Sequence, residues 1–176
     1  MIGDSITVGA QQPLEVMFTR LGFSPVTVNA QKSRRIDIGR GKYEPRAGTA
    51  VAEYVVGSKA LPELWVIALG TNDAGLYREA DEYRTVIAHM LAIIPPTAPL
   101  AWIDIYRRDF LAGSQLLNVV LRDMLAKRGH AVVGDWYQQC TKPDARILSG
   151  DGVHPNKRGF GVFTDTVRAA ALSLVS

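Results

Sequence analysis

Four short apolar runs, at residues 26–30, 64–69, 100–105 and 131–133, alternate along this chain with segments of helical spacing. Each run is rich in Val, Ile, Leu or Trp and is bounded by Gly, Pro or Asp, as buried strands are. A further strand is signalled only by Met1 and Ile2, which run into the turn at Gly3. Between the runs, residues 13–21 place Leu14, Met17, Phe18 and Leu21 on one face, with Gly22 as a C-terminal stop. Residues 47–59 group Ala47, Val51, Tyr54 and Val55, and residues 80–94 align Tyr83, Val86, Ile87, Met90 and Leu91 before Pro95 and Pro96. Residues 114–127 align Leu117, Leu121, Met124 and Leu125, while 159–175 form a long segment apolar enough to lie on a core. Strand–helix alternation of this kind predicts a parallel sheet with helices on both faces. The expectation is an α/β fold: one domain over 1–176, a three-layer α/β/α sandwich with a mainly parallel five-stranded sheet.

Composition narrows the partners. A chain of 176 residues with 47% apolar and 21% charged residues has the makings of one packed core, which argues against disorder. A net charge of +3 is too small to imply a nucleic-acid partner. No apolar run reaches the roughly 18 residues that a membrane span requires. Cys140 is the only cysteine, so no internal disulfide forms, and neither it nor the three histidines shows metal-ligand spacing. No cofactor or metal is expected. The start Met1-Ile2-Gly3-Asp4-Ser5 lacks the basic and apolar stretches of a signal peptide. Its strand stub suggests truncation, or a module excised from a longer chain. If the parent were a membrane protein, the module would lie outside the cytoplasm.

Chemistry in such folds gathers at the carboxyl ends of the strands. Three polar clusters fall there: Gly3-Asp4-Ser5, Gly70-Thr71-Asn72-Asp73, and Asp151-Gly152-Val153-His154 before the last helix. A serine becomes a nucleophile when a base lies within hydrogen-bond reach and a carboxylate orients that base. Of the histidines, His89 falls inside a helical segment and His130 beside the turn at Gly129. Only His154 has a carboxylate three residues earlier in a Gly/Pro-rich loop. Asp151 and His154 face the same way if that loop makes one helical turn. Each cluster taken alone also reads as an ordinary turn or cap; their joint occurrence in this order points to a Ser–His–Asp site.

These three blocks resemble those of the SGNH hydrolase superfamily, the GDSL-type esterases and acyltransferases, over nearly the whole chain. The resemblance implies Ser5 as nucleophile, His154 as base and Asp151 as its acid partner. It implies an oxyanion hole made of the Ser5 N–H, the Asn72 side chain and a backbone N–H after the second strand. At that last place the family shows a glycine, whereas Asn29-Ala30-Gln31-Lys32-Ser33-Arg34 presents Ser33. A backbone donor works with any side chain, but a positive φ would cost a serine on the order of 1 kcal/mol. Gly39 or Gly41 is the alternative donor. Asp4 is expected to be structural, and Asp73 to orient the loop carrying Asn72 or to touch substrate.

Lys32, Arg34, Arg35, Arg40, Lys42 and Arg46 crowd one stretch against Asp37 and Glu44. The stretch follows the second strand, so Arg34 and Arg35 are candidate contacts for an anionic substrate, with a solvated loop as the alternative. Asn118, Asp135-Trp136-Tyr137 and residues 149–155 are similar to SGNH modules of cell-surface O-acetyltransferases, and Trp136 and Tyr137 are candidates for stacking on a sugar or for the core. The expected activity is hydrolysis of small acyl esters, such as O-acetyl groups on carbohydrate. The alternatives are an O-acyltransferase using a glycan hydroxyl as acceptor, and a binding module with an inactive SGNH fold. No long apolar lid segment favours a lipid esterase.

Overall fold

The computed structural model describes residues 1–38 and 46–175. Five strands, β1 (Ile2–Gly3), β2 (Asn29–Ala30), β3 (Trp65–Ala68), β4 (Leu100–Ile103) and β5 (Ala131–Gly134), form one sheet in the order β2-β1-β3-β4-β5. Every pairing is parallel, with Ile2 beside both Asn29 and Ile67, Trp65 beside Leu100, and Leu100 beside Ala131. The helices are α1 (Ser5–Arg20), α2 (Gly48–Gly57), α3 (Ala80–Ile93), α4 (Leu111–Arg128), α5 (Trp136–Thr141) and α6 (Lys157–Val175). The α/β fold expected from the alternation is the one observed.

Strand periodicity divides the core. Trp65, Ile67 and Leu69 face one layer together with Leu100 and Trp102, against α2, α3 and α4. Leu64, Val66, Ala68, Ala101 and Ile103 face the other, against α1, α5 and α6. Successive strand residues point to opposite faces, so continuous apolar runs are what a sheet covered on both sides demands. Fully burying one large apolar side chain is worth about 1.5–3 kcal/mol, and Trp102, Trp136, Tyr83 and Phe163 are all fully buried.

Two elements depart from expectation in instructive ways. Helix α1 starts at Ser5, well before Pro13, because Asp4 caps it by accepting the Ile6 N–H at 2.9 Å. Pro13 sits inside the helix, at a cost of about 3 kcal/mol, and burial of Ile6, Ala10, Leu14 and Phe18 against the sheet offsets it. Helix α5 is short, six residues, and offers too little sequence for a helical period to show. Among the described residues, no helix is long and apolar enough to cross a membrane.

The chain reverses its winding at β1, which lies between β2 and β3. The loops leaving β1 and β3 therefore open side by side on the carboxyl edge, at the switch point where α/β folds form sites.

Candidate active site

Ser5 is the first residue of α1, where backbone N–H groups lack intrahelical acceptors. Its Oγ lies 2.9 Å from His154 Nε2, across 149 positions of sequence. His154 Nδ1 is 2.7 Å from Asp151 Oδ2. The other carboxylate oxygen, Oδ1, accepts the N–H groups of Val153 at 2.9 Å and His154 at 3.0 Å. A turn built around the Asp151 side chain, rather than a helical one, brings acid and imidazole to the same side. Those backbone bonds, then the contact with His154, hold the Asp151 pKa down at about 2, so the carboxylate is ionised at neutral pH and an Nδ1–H is the tautomer that suits it. Antiparallel bridging of Leu148 to Pro155, and the Ser149 N–H bond to the His154 carbonyl at 2.8 Å, close the loop. The other histidines lie elsewhere: His89 Nδ1 meets Asp37 Oδ2 at 2.6 Å and His130 Nδ1 meets the Thr97 carbonyl at 3.0 Å.

Asn72 follows β3, and its Nδ2 donates to the Arg34 carbonyl at 3.0 Å. That bond fixes the amide plane and leaves the second Nδ2 hydrogen for another acceptor. Ser33 has φ +60°, the left-handed conformation in which a glycine would be unstrained. It immediately precedes the carbonyl held by Asn72. Gly39 and Gly41, the alternative donors, and Arg40, Lys42 and Glu44 of the basic stretch lie outside the described residues.

The expected substrate contacts divide differently. Arg34 is buried, and each of its five N–H groups is taken within the protein. Nε donates to the Arg46 carbonyl, Nη1 to the carbonyls of Gly3 and Asn29, and Nη2 to the side chains of Asn29 and Gln31. The guanidinium staples the ends of β1 and β2 together and has no donor left for an anion, which corrects the substrate-contact expectation for Arg34. Asp73 is likewise sealed in, with no exposed surface, and both its oxygens lie 3.3 Å from the Ile36 N–H. It therefore ties the loop of Asn72 to the loop of Ser33 and does not reach substrate. Burial pushes its pKa up to about 7, the Ile36 bond and the charge of half-buried Arg35 opposing. Asp4 is also buried beside the nucleophile, and its carboxyl is pushed up to about 6 by desolvation. Trp136 is a core residue, edge-on to Phe163 at 5.3 Å, whereas Tyr137 is half-buried against Tyr106 at 5.7 Å.

Sequence reasoning passed over the loop between β4 and α4. Asn118 grips it from α4, accepting the Ile105 N–H at 3.0 Å and donating to the Ile105 carbonyl at 2.8 Å. Arg107 Nη1 donates to the Thr71 carbonyl at 3.3 Å, and the Arg108 N–H donates to the Gly152 carbonyl at 3.1 Å. This one loop thus touches both the Asn72 loop and the Asp151–His154 loop. The Arg107-Arg108-Asp109 cluster was the available signal, weak because the surrounding stretch has no motif.

Solved structures share this architecture. The C-terminal catalytic domain of Streptococcus pneumoniae peptidoglycan O-acetyltransferase A matches with a TM-score of 0.73 and 21% identity, over 98% of this chain and 91% of that one. A lipase/acylhydrolase from Enterococcus faecalis matches with a TM-score of 0.72 and 20% identity, over 96% and 93% of the two chains. A GDSL-like lipase from Bacteroides thetaiotaomicron matches with a TM-score of 0.69 and 19% identity, over 98% and 86%. At these identities the likeness carries the fold. No curated protein matches the chain significantly by sequence. Residues 1–162 match the model of the GDSL-like Lipase/Acylhydrolase family; the chain belongs to that family, within the SGNH hydrolase superfamily, and its chemistry is of the esterase or acyltransferase type.

Proposed function

We propose that this protein is a serine esterase that removes small acyl groups, O-acetyl groups on carbohydrate among them, through an acyl-enzyme on Ser5. The observation that carries the reading is the 2.9 Å approach of the Ser5 hydroxyl to His154 Nε2, with Asp151 behind the ring at 2.7 Å. Ser5 Oγ attacks the ester carbonyl as Nε2 takes its proton, and the ionised Asp151 stabilises the imidazolium. Negative charge gathers on the carbonyl oxygen. The donors assigned to it in this reading are the Ser5 N–H, the second Asn72 amide hydrogen and the Ser33 N–H, a set whose members are each worth about 3–4 kcal/mol of barrier. Nε2 then returns the proton to the leaving alkoxide, the C–O bond breaks, and a water activated by His154 releases the acid.

The second reading, an O-acyltransferase in which a glycan hydroxyl replaces that water, draws support from the fold likeness to the peptidoglycan O-acetyltransferase domain. A fluorophosphonate probe tests the nucleophile: label mapped to Ser5 and lost in His154→Ala supports the site, and label elsewhere removes it. Aryl acetate turnover with and without added glycan separates the two readings. Acetylated glycan exceeding free acetate would overturn hydrolysis as the main reaction.

A further inference from the structure

The cations around the site differ in what they are already bound to. Arg34 has every donor engaged inside the protein. Arg107 is paired through two nitrogens with Asp109, at 2.9 and 3.0 Å, and its guanidinium lies 4.7 Å from the Phe110 ring centroid. Arg122 is held by Asp104 and Asp135. Arg108 is exposed, and among the described residues its side chain has neither a hydrogen bond nor an ion pair.

Its position is nevertheless defined. The Arg108 N–H holds the Gly152 carbonyl, and its side chain lies across Gly152 itself. A Cβ added at Gly152 would stand 2.6 Å from Arg108 Nε and 2.8 Å from Cζ, and Gly152 has φ +69°. Lack of a side chain at Gly152 therefore serves both the turn and the close approach of the guanidinium. A planar fork of donors with no partner among the described residues thus rests on Gly152, which lies between Asp151 and His154 in sequence on the loop that carries them.

We propose that Arg108 selects esters whose alcohol portion bears a carboxylate or another planar anionic group. This rests on the triad proposed above, because the triad assigns the direction. His154 Nε2 must reach the leaving oxygen to protonate it, so the alcohol portion lies on the side of the His154 loop. The carbonyl oxygen and acyl chain lie toward Asn72. Arg108 sits on the first of these sides, and a guanidinium fork matches a carboxylate through two parallel hydrogen bonds. Such a contact at an exposed position weakens with salt.

Three aryl esters test this: para-acetoxybenzoate, with its anion on the leaving group; its neutral methyl ester; and phenyl hemisuccinate, with its anion on the acyl chain. The readout is the ratio of kcat/KM for each anionic ester to that for the methyl ester, in wild type, Arg108→Gln, Arg108→Lys and Arg108→Glu. The acetoxybenzoate ratio should fall about tenfold in the Gln variant and further in the Glu variant, carried by KM. Lysine should recover part of it, and added salt should narrow the wild-type preference. The hemisuccinate ratio should move far less. An acetoxybenzoate ratio unchanged in both Gln and Glu variants overturns the proposal, and so does a larger change for hemisuccinate. Failure of the triad has its own signature: Ser5→Ala hydrolysing the neutral methyl ester as fast as wild type.

Discussion

Replacing Asp73 by Asn should change how stability depends on pH, by an amount that follows from burial. The Asp73 carboxyl is fully enclosed, and desolvation pushes its pKa from the usual 3.8 to about 7. Between those values the native protein keeps a proton that the unfolded chain has released. Stability is therefore complete below pH 3.8 and declines as pH rises toward 7, by about 1.4 kcal/mol per unit. Across the window the loss is about 4 kcal/mol. Asparagine cannot ionise, and its carbonyl still accepts the Ile36 N–H. Asp4 and Asp104, both pushed up to about 6 chiefly by burial, titrate in the same range, so the informative quantity is the difference between the two proteins. Urea unfolding of each from about pH 4 to about pH 8 should show the variant gaining about 4 kcal/mol on wild type. For a chain of this size that is a gain of roughly 8–16 °C in Tm. A difference that stays level across the range refutes the burial argument, and one that grows in favour of wild type refutes its sign.

Two further variants probe the oxyanion side. Asn72→Ala should lower kcat on an aryl acetate by about 10²–10³ with little change in KM; a loss under about threefold would remove Asn72 from the hole. Ser33→Gly should raise thermal stability by up to about 1 kcal/mol through relief of the left-handed φ of +60°, and Ser33→Val should lower it. A glycine variant with a lower Tm than the valine variant would mean that φ at this position carries no strain.

The helices and strands could be read from the chain because their signals are local. A strand covered on both faces must be apolar at every position, as in Trp65–Ala68, and a helix on a sheet must be apolar every third or fourth residue, as in Ala80–Ile93. The Asp151–His154 contact is equally local, since one side chain accepting two nearby N–H groups builds the turn that makes it. Helix α1 reaches further toward the amino terminus than the local pattern shows, because Pro13 suits a first helical position and burial of Ile6 and Ala10 overrides that signal.

Charge shows the other side of the division. Arg34 and Arg108 look alike in sequence, each in a basic stretch after a strand. One lies under the ends of β1 and β2 with all its donors consumed, and the other lies open across Gly152, in the loop that carries His154. Which carbonyls surround a guanidinium depends on how separate strands pair, and no residue pattern encodes that. The same holds for Ser5 and His154, whose sequence separation of 149 is closed by the order of the sheet and by α6 packing on α1. Sequence alone determined the elements, their alternation and the residues able to do chemistry, because periodicity and turn preferences act over a few residues. Only the tertiary structure decided which of those residues meet and which charges stay free, because pairing and burial are properties of the packed layers.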